Sequence, residues 1–119
     1  MVNHLINSRK RLNAETAQKI LRPVPYQQGF HFFMPDGHYT GESALSLCWF
    51  LKDLGSMEEL SIRFHFDRGD FQKWLTTTIG DEELAQRIDR LDKTLSIETL
   101  REQLADLVQK RILELQLIE

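Results

Sequence analysis

Cysteine is nearly absent from this 119-residue chain, with Cys48 standing alone. That excludes an internal disulfide and any cysteine-cluster zinc or iron–sulfur site, and a reducing cytoplasm is the expected compartment. Long apolar runs are missing as well. The longest, Ala44 to Leu51 with Ser46 inside it, falls far short of the ~20 residues that span a bilayer. No secretory-type apolar stretch precedes the basic cluster near the N-terminus, so a cytoplasmic chain with no membrane partner is expected. Also lacking are a Gly-x-Ser-x-Gly elbow, a phosphate loop, a dinucleotide fingerprint and a His-Glu-x-x-His pattern. Their absence weighs against an enzyme without excluding one.

What is present is an ordinary globular composition, 41% hydrophobic and 28% charged. Area scaling gives roughly 6,700 Å² exposed when folded against roughly 20,000 Å² unfolded, enough burial for a single core without a staple. The net charge of −3 is unevenly placed. Residues 1–25 carry Arg9, Lys10, Arg11, Lys19 and Arg22 against Glu15 alone, which leaves the remainder at −7. An acidic body of that kind does not accumulate the positive charge that phosphate binding needs, so nucleic acid is not an expected partner. The Arg9–Lys10–Arg11 tract reads as a solvated surface run.

The chain is punctuated by helix signals. Asn13 before Ala14, Ala17, Ile20 and Leu21 predicts a short capped helix that Pro23 and Pro25 end. These residues make 1–27 a basic N-terminal segment, with 28–119 as a single helical domain. Phe30–Tyr39 is aromatic, and Pro35-Asp36-Gly37 can reverse the chain, which predicts an aromatic loop or short β-hairpin near residues 30–40. Thr40 is the expected cap of a helix over 42–54 that Gly55 stops, and Ser56-Met57-Glu58-Glu59 fits a capping box for the next. Residues 60–66 alternate apolar and polar like a strand, while the short connections favour helix. Asp70 is expected to cap 71–78, Asp81 to cap 82–91, and Ser96 to open the longest helix, through Leu117. There Ile97, Leu100, Leu104, Val108, Ile112 and Leu115 recur at a helical period. The reading is an all-α or nearly all-α multi-helix bundle.

Several blocks together resemble a family of small uncharacterised bacterial and archaeal domains, a domain of unknown function. They are Phe32-Phe33-Met34-Pro35-Asp36-Gly37 with Thr40-Gly41, then Ala44-x-Ser46-Leu47-x-x-Phe50, and Phe64-His65-Phe66-x-Arg68-x-Asp70-Phe71-x-x-Trp74-Leu75. Gly80-Asp81-x-x-Leu84-Ala85 and Ser96-Ile97-Glu98-Thr99-Leu100-Arg101 follow. The resemblance covers residues 28–110 and implies a helical fold, with no established reaction, cofactor or substrate.

Chemistry concentrates in two places. His65, Arg68 and Asp70 could form a polar network, which most simply means a capping Asp70, an Arg68 paired with an acid, and a His65 bonded to a backbone carbonyl. His31, His38, His65 and Asp36 match no metal-ligand spacing, and neither metal nor cofactor is expected. Cys48, beside Trp49 and Phe50, is expected to be a buried small hydrophobe. The aromatic side chains are mainly core, with loop rings as candidate anchors. The expected function is therefore a non-enzymatic protein-interaction or regulatory accessory module with a protein partner, able to form a homodimer. Its binding surface would combine Phe32, His38 and Tyr39 with His65, Arg68, Asp70 and Trp74. The alternative is a small-ligand-binding or catalytic domain in which His65 titrates, Arg68 holds an anion and Asp70 orients the imidazole.

Overall fold

A computed structural model describes residues 12–118. Asn13, Ser96 and Asp81 cap helices as their sequence context predicts, each side chain accepting a backbone N–H three residues on. The elements are α1 (Ala14–Leu21), β1 (Phe30–Phe33), β2 (Tyr39–Ala44), α2 (Leu47–Ser56), α3 (Glu59–Arg68), α4 (Asp70–Trp74), α5 (Glu82–Asp89) and α6 (Ile97–Gln116). A single 3₁₀ turn, Tyr26–Gln28, precedes β1, and α4 runs on into a π-helical turn, Leu75–Ile79. The result is mostly helical, with six α-helices and one antiparallel hairpin among the described residues.

The hairpin explains most departures from expectation. Thr40 does not cap a helix; it lies in β2, where its hydroxyl donates to the Phe32 carbonyl at 2.8 Å. Pairing of His31 with Ser43 and of Phe33 with Tyr39 leaves two extra residues on β2, and Gly41 sits at φ +91° there, a conformation suited to glycine. The helix therefore starts later, at Leu47, with Ser46 Oγ accepting the Trp49 N–H at 3.1 Å. It runs past Gly55 to Ser56. Because Ser56 is used as the last helical residue, the expected capping box does not form, and α3 begins after Glu58 without a side-chain cap.

Residues 60–66 are helical. Their alternating pattern misleads because Ser61 and His65 turn inward together with Ile62 and Phe66, whereas Leu60 is exposed. Both polar side chains are drawn in by hydrogen bonds to β1. Cys48 is exposed, contrary to expectation, since α2 buries Leu47, Phe50, Asp53 and Leu54 and turns 48, 49 and 52 outward.

The core gathers Phe30, Phe32, Phe50, Phe71 and Trp74 beneath the hairpin, with Leu100, Leu104, Val108, Ile112 and Leu115 of α6 along the long axis. Arginines close several gaps. Arg22 donates to the carbonyls of Thr78 and Ile79 at 2.9 and 3.3 Å, and Arg101 to those of Leu54 and Met57 at 2.7 and 2.6 Å. Arg63 donates to the carbonyls of Lys93 and Leu95. Each guanidinium answers carbonyls that helix ends or connections would leave unpaired. Arg111 and Asp81 form a buried bidentate pair, both contacts 2.9 Å, tying α6 to the start of α5.

Candidate functional site

The polar block predicted on 65–70 does converge, where α3 meets the outer edge of β1. Phe33 N–H donates to His65 Nε2 at 2.9 Å, which makes Nε2 the unprotonated nitrogen. The proton is then on Nδ1, which donates to Asp70 Oδ2 at 2.8 Å. Burial, outweighing the attraction of Asp70, holds the imidazole below its ordinary pKa. Ser61 Oγ donates to the Phe33 carbonyl at 2.8 Å, so α3 satisfies both backbone groups of Phe33. Two expectations are corrected: His65 accepts a backbone N–H and meets no carbonyl, and Asp70 orients the histidine without capping a helix.

Arg68 sits at the rim with 60% of its side chain exposed, its guanidinium carbon 4.9 Å over the Phe64 ring and Nε 3.5 Å from Asp70. Together these groups border an open groove of about 450 Å³, walled by Phe30, His31, Phe33 and Phe64. His65, Arg68 and Asp70 all line it, but its walls are aromatic and it is not sealed from solvent.

Other predicted site residues fall elsewhere. Phe32 is fully buried and Trp74 nearly so, its indole donating to the Gln28 carbonyl at 2.9 Å; neither offers a surface anchor. His38 is exposed in the hairpin turn and does not line the groove, its backbone N–H bonded to Asp36 Oδ1. Among the described residues, no three His, Cys, Asp or Glu side chains come together as metal ligands would.

Tyr39 lines a second, adjoining pocket of about 280 Å³ with Tyr26, His31 and Phe33. A hydroxyl chain runs behind it: Tyr26 Oη to Tyr39 Oη at 3.1 Å, Tyr39 Oη to Ser43 Oγ at 2.6 Å, and Ser43 Oγ to His31 Nδ1 at 2.5 Å. Phe33 belongs to the aromatic loop that the sequence offers as an anchor, whereas Tyr26, Phe64 and Ser43 join this surface without such a signal. The period-2 placement of 31, 33, 39 and 43 on one hairpin face was the signal available, once both strands are recognised.

On the opposite side of the hairpin, Glu42 Oε2 accepts the Trp49 indole N–H at 3.0 Å. Asp53 of α2 is buried with Oδ2 lacking any hydrogen-bond partner. Burial first, and the neighbouring Glu42 second, push its carboxyl up to about 7, while the indole and Asp53 hold Glu42 down. With its proton on, Asp53 is neutral beside Glu42, and its burial costs less.

No helix among the described residues is long and apolar enough to cross a membrane. A family model described as a family of unknown function (DUF5752) matches residues 10–109. No curated protein and no solved structure matches the chain.

Proposed function

We propose that this chain, which belongs to the DUF5752 family of unknown function, is a non-enzymatic protein-interaction module, a small cytoplasmic regulatory or accessory domain. Its contact surface is the groove between the hairpin and α3. The observation that carries this reading is the state of His65: both ring nitrogens are spent on holding Phe33 and Asp70 in place. A proton added to Nε2 would break the bond from the Phe33 amide, so this imidazole fastens the fold and is poorly suited to exchange protons with a substrate. What remains available at the groove is aromatic wall and one guanidinium, which suit an apolar side chain of a partner and an acceptor beside it.

The alternative, a small-ligand or catalytic site on His65, Arg68 and Asp70, draws support from their convergence on one groove. It is disfavoured by the engaged imidazole. Leu113 of α6 and Leu117 just past its end are 53% and 78% exposed, which supports self-association through that end of the helix as a second contact.

The test is affinity capture with the intact chain beside a Phe64→Ala/Arg68→Ala variant of unchanged melting temperature. A specific partner held by the first and released by the second is the expected result. Equal recovery from both would remove the groove from the proposal. Light scattering after gel filtration addresses the dimer: a monomeric mass at high protein concentration rules it out.

A further inference from the structure

Among the described residues, the pocket beside the groove is walled by four rings: Tyr26, His31, Phe33 and Tyr39. Neighbouring rings stand at steep angles to one another. Tyr26 and His31 have centroids 5.0 Å apart at 54°, His31 and Tyr39 6.1 Å apart at 81°, and Phe33 and Tyr39 5.5 Å apart at 49°. The rings are therefore not stacked flat on one another, and the pocket they line holds about 280 Å³.

Aromatic walls attract cations, because the ring faces carry the negative lobe of the quadrupole. Among the described residues, no lysine or arginine lines this pocket. Between Arg22 and Lys52 the sequence contains no lysine or arginine, while Asp36 and Glu42 give that stretch a net negative charge. Among the described residues, the two cation–ring contacts are elsewhere, Arg68 over Phe64 and Lys93 over Phe66. The hydroxyl chain from Tyr26 through Tyr39 to Ser43 and His31 fixes three of the four rings by hydrogen bonds at their edges. Tyr26, 55% exposed, forms the outer wall, so the space is open to a ligand from solvent.

We infer that these four rings form an aromatic cage for an alkylated ammonium group, carried either by a small quaternary amine or by a methylated lysine side chain. The rings would replace the water around a diffuse cation whose own hydration is weak, and the absence of any carboxylate among the walls favours such a cation over a bare ammonium, which needs hydrogen-bond acceptors. The site shares His31 and Phe33 with the groove but does not depend on a protein docking there.

The full chain can be titrated with choline chloride by NMR, with 3,3-dimethylbutan-1-ol as the neutral compound of the same shape. Saturable upfield shifts of the choline methyl protons, with amide shifts at Tyr26, Phe33 and Tyr39, are expected, and no comparable response to the alcohol. Tyr26→Ala should weaken choline binding about tenfold and Tyr26→Phe should weaken it clearly less, since the ring makes the wall and the hydroxyl only steadies it. A peptide containing trimethyllysine tells the two sources apart: tighter binding than choline assigns a side chain, and equal or weaker binding assigns the free amine. No saturable response to choline or the peptide, an equal response to the alcohol, or equal losses in Tyr26→Ala and Tyr26→Phe would overturn the cage. Circular dichroism melts confirm that each variant is folded.

Discussion

The hairpin is clasped from two sides, and the two clasps use opposite protonation logic. On the β1 side, a neutral histidine of α3 accepts the Phe33 amide and donates to a carboxylate, so every polar atom of the imidazole has a partner. On the β2 side, two acids meet, and one of them, Asp53, is buried with an oxygen that no neighbour satisfies. One clasp is complete with a neutral ring, whereas the other is relieved of a buried charge when it carries a proton.

The pH dependence of each follows. Burial lowers His65 from its ordinary 6.5, so its contribution is full above that value and is lost as pH falls through the lowered folded value. Asp53 is raised from 3.8 to about 7, so its contribution is full below 3.8 and is lost as pH rises through about 7. Among the described residues, Lys52 is the cation that acts on Asp53 and opposes that rise only partly, and the Arg101 guanidinium on α6 is occupied by the Leu54 and Met57 carbonyls. Between 3.8 and 6.5 the two clasps therefore respond to pH in opposite directions, the Asp53 contribution falling and the His65 contribution rising as protons leave.

The comparison can be broken most directly at His65. His65→Ala leaves the Phe33 amide without an acceptor and opens a hole under the hairpin, for an expected loss of about 2–4 kcal/mol in urea unfolding at neutral pH. A loss below about 1 kcal/mol would mean that this clasp is dispensable. Asp53→Asn sharpens the other side. Above the Asp53 transition it should stabilise the protein by about 1–3 kcal/mol, because the buried charge is gone, and it should flatten the fall in stability between pH 4 and 7. An unchanged slope would place the raised acid elsewhere. Trp49→Phe removes a half-exposed donor to Glu42 and is expected to cost about 0.5–1 kcal/mol in the same assay, with Glu42 titrating higher in carbon-detected NMR. His31→Ala is the smallest change, under about 1 kcal/mol, because Ser43 keeps its bond to Tyr39.

The sequence was most legible where structure is local. Asn13, Asp81 and Ser96 cap what they precede, and the stripe from Ile97 to Leu115 faces inward along α6 apart from a half-buried Ile97. Legibility failed where a side chain had to choose between a local and a distant partner. Thr40 can cap or pair, and the Phe32 carbonyl across the hairpin decides it. Ser61 and His65 look like the polar phase of a strand until β1 lies against them. Asp70 was recognised as part of the polar cluster, but its role depends on an imidazole five residues earlier that must first be buried. The groove was half legible: His65, Arg68 and Asp70 belong to it, Phe32 and Trp74 do not, and the pairing of Glu42 with Asp53 has no signature in spacing at all.

The arginines that answer distant carbonyls also bear on how the molecule opens. A helix terminus whose exposed carbonyls bind only water unravels by itself, with little cost to the rest. Here α2 ends on a guanidinium from α6, and the π turn ends on one from the residue just after α1. Fraying at either place requires a second element to let go. Amide exchange near Met57 and Gly80 should accordingly track whole-domain unfolding, and substitution of Arg101 or Arg22 by glutamine should release those protons early while leaving the centre of α6 slow.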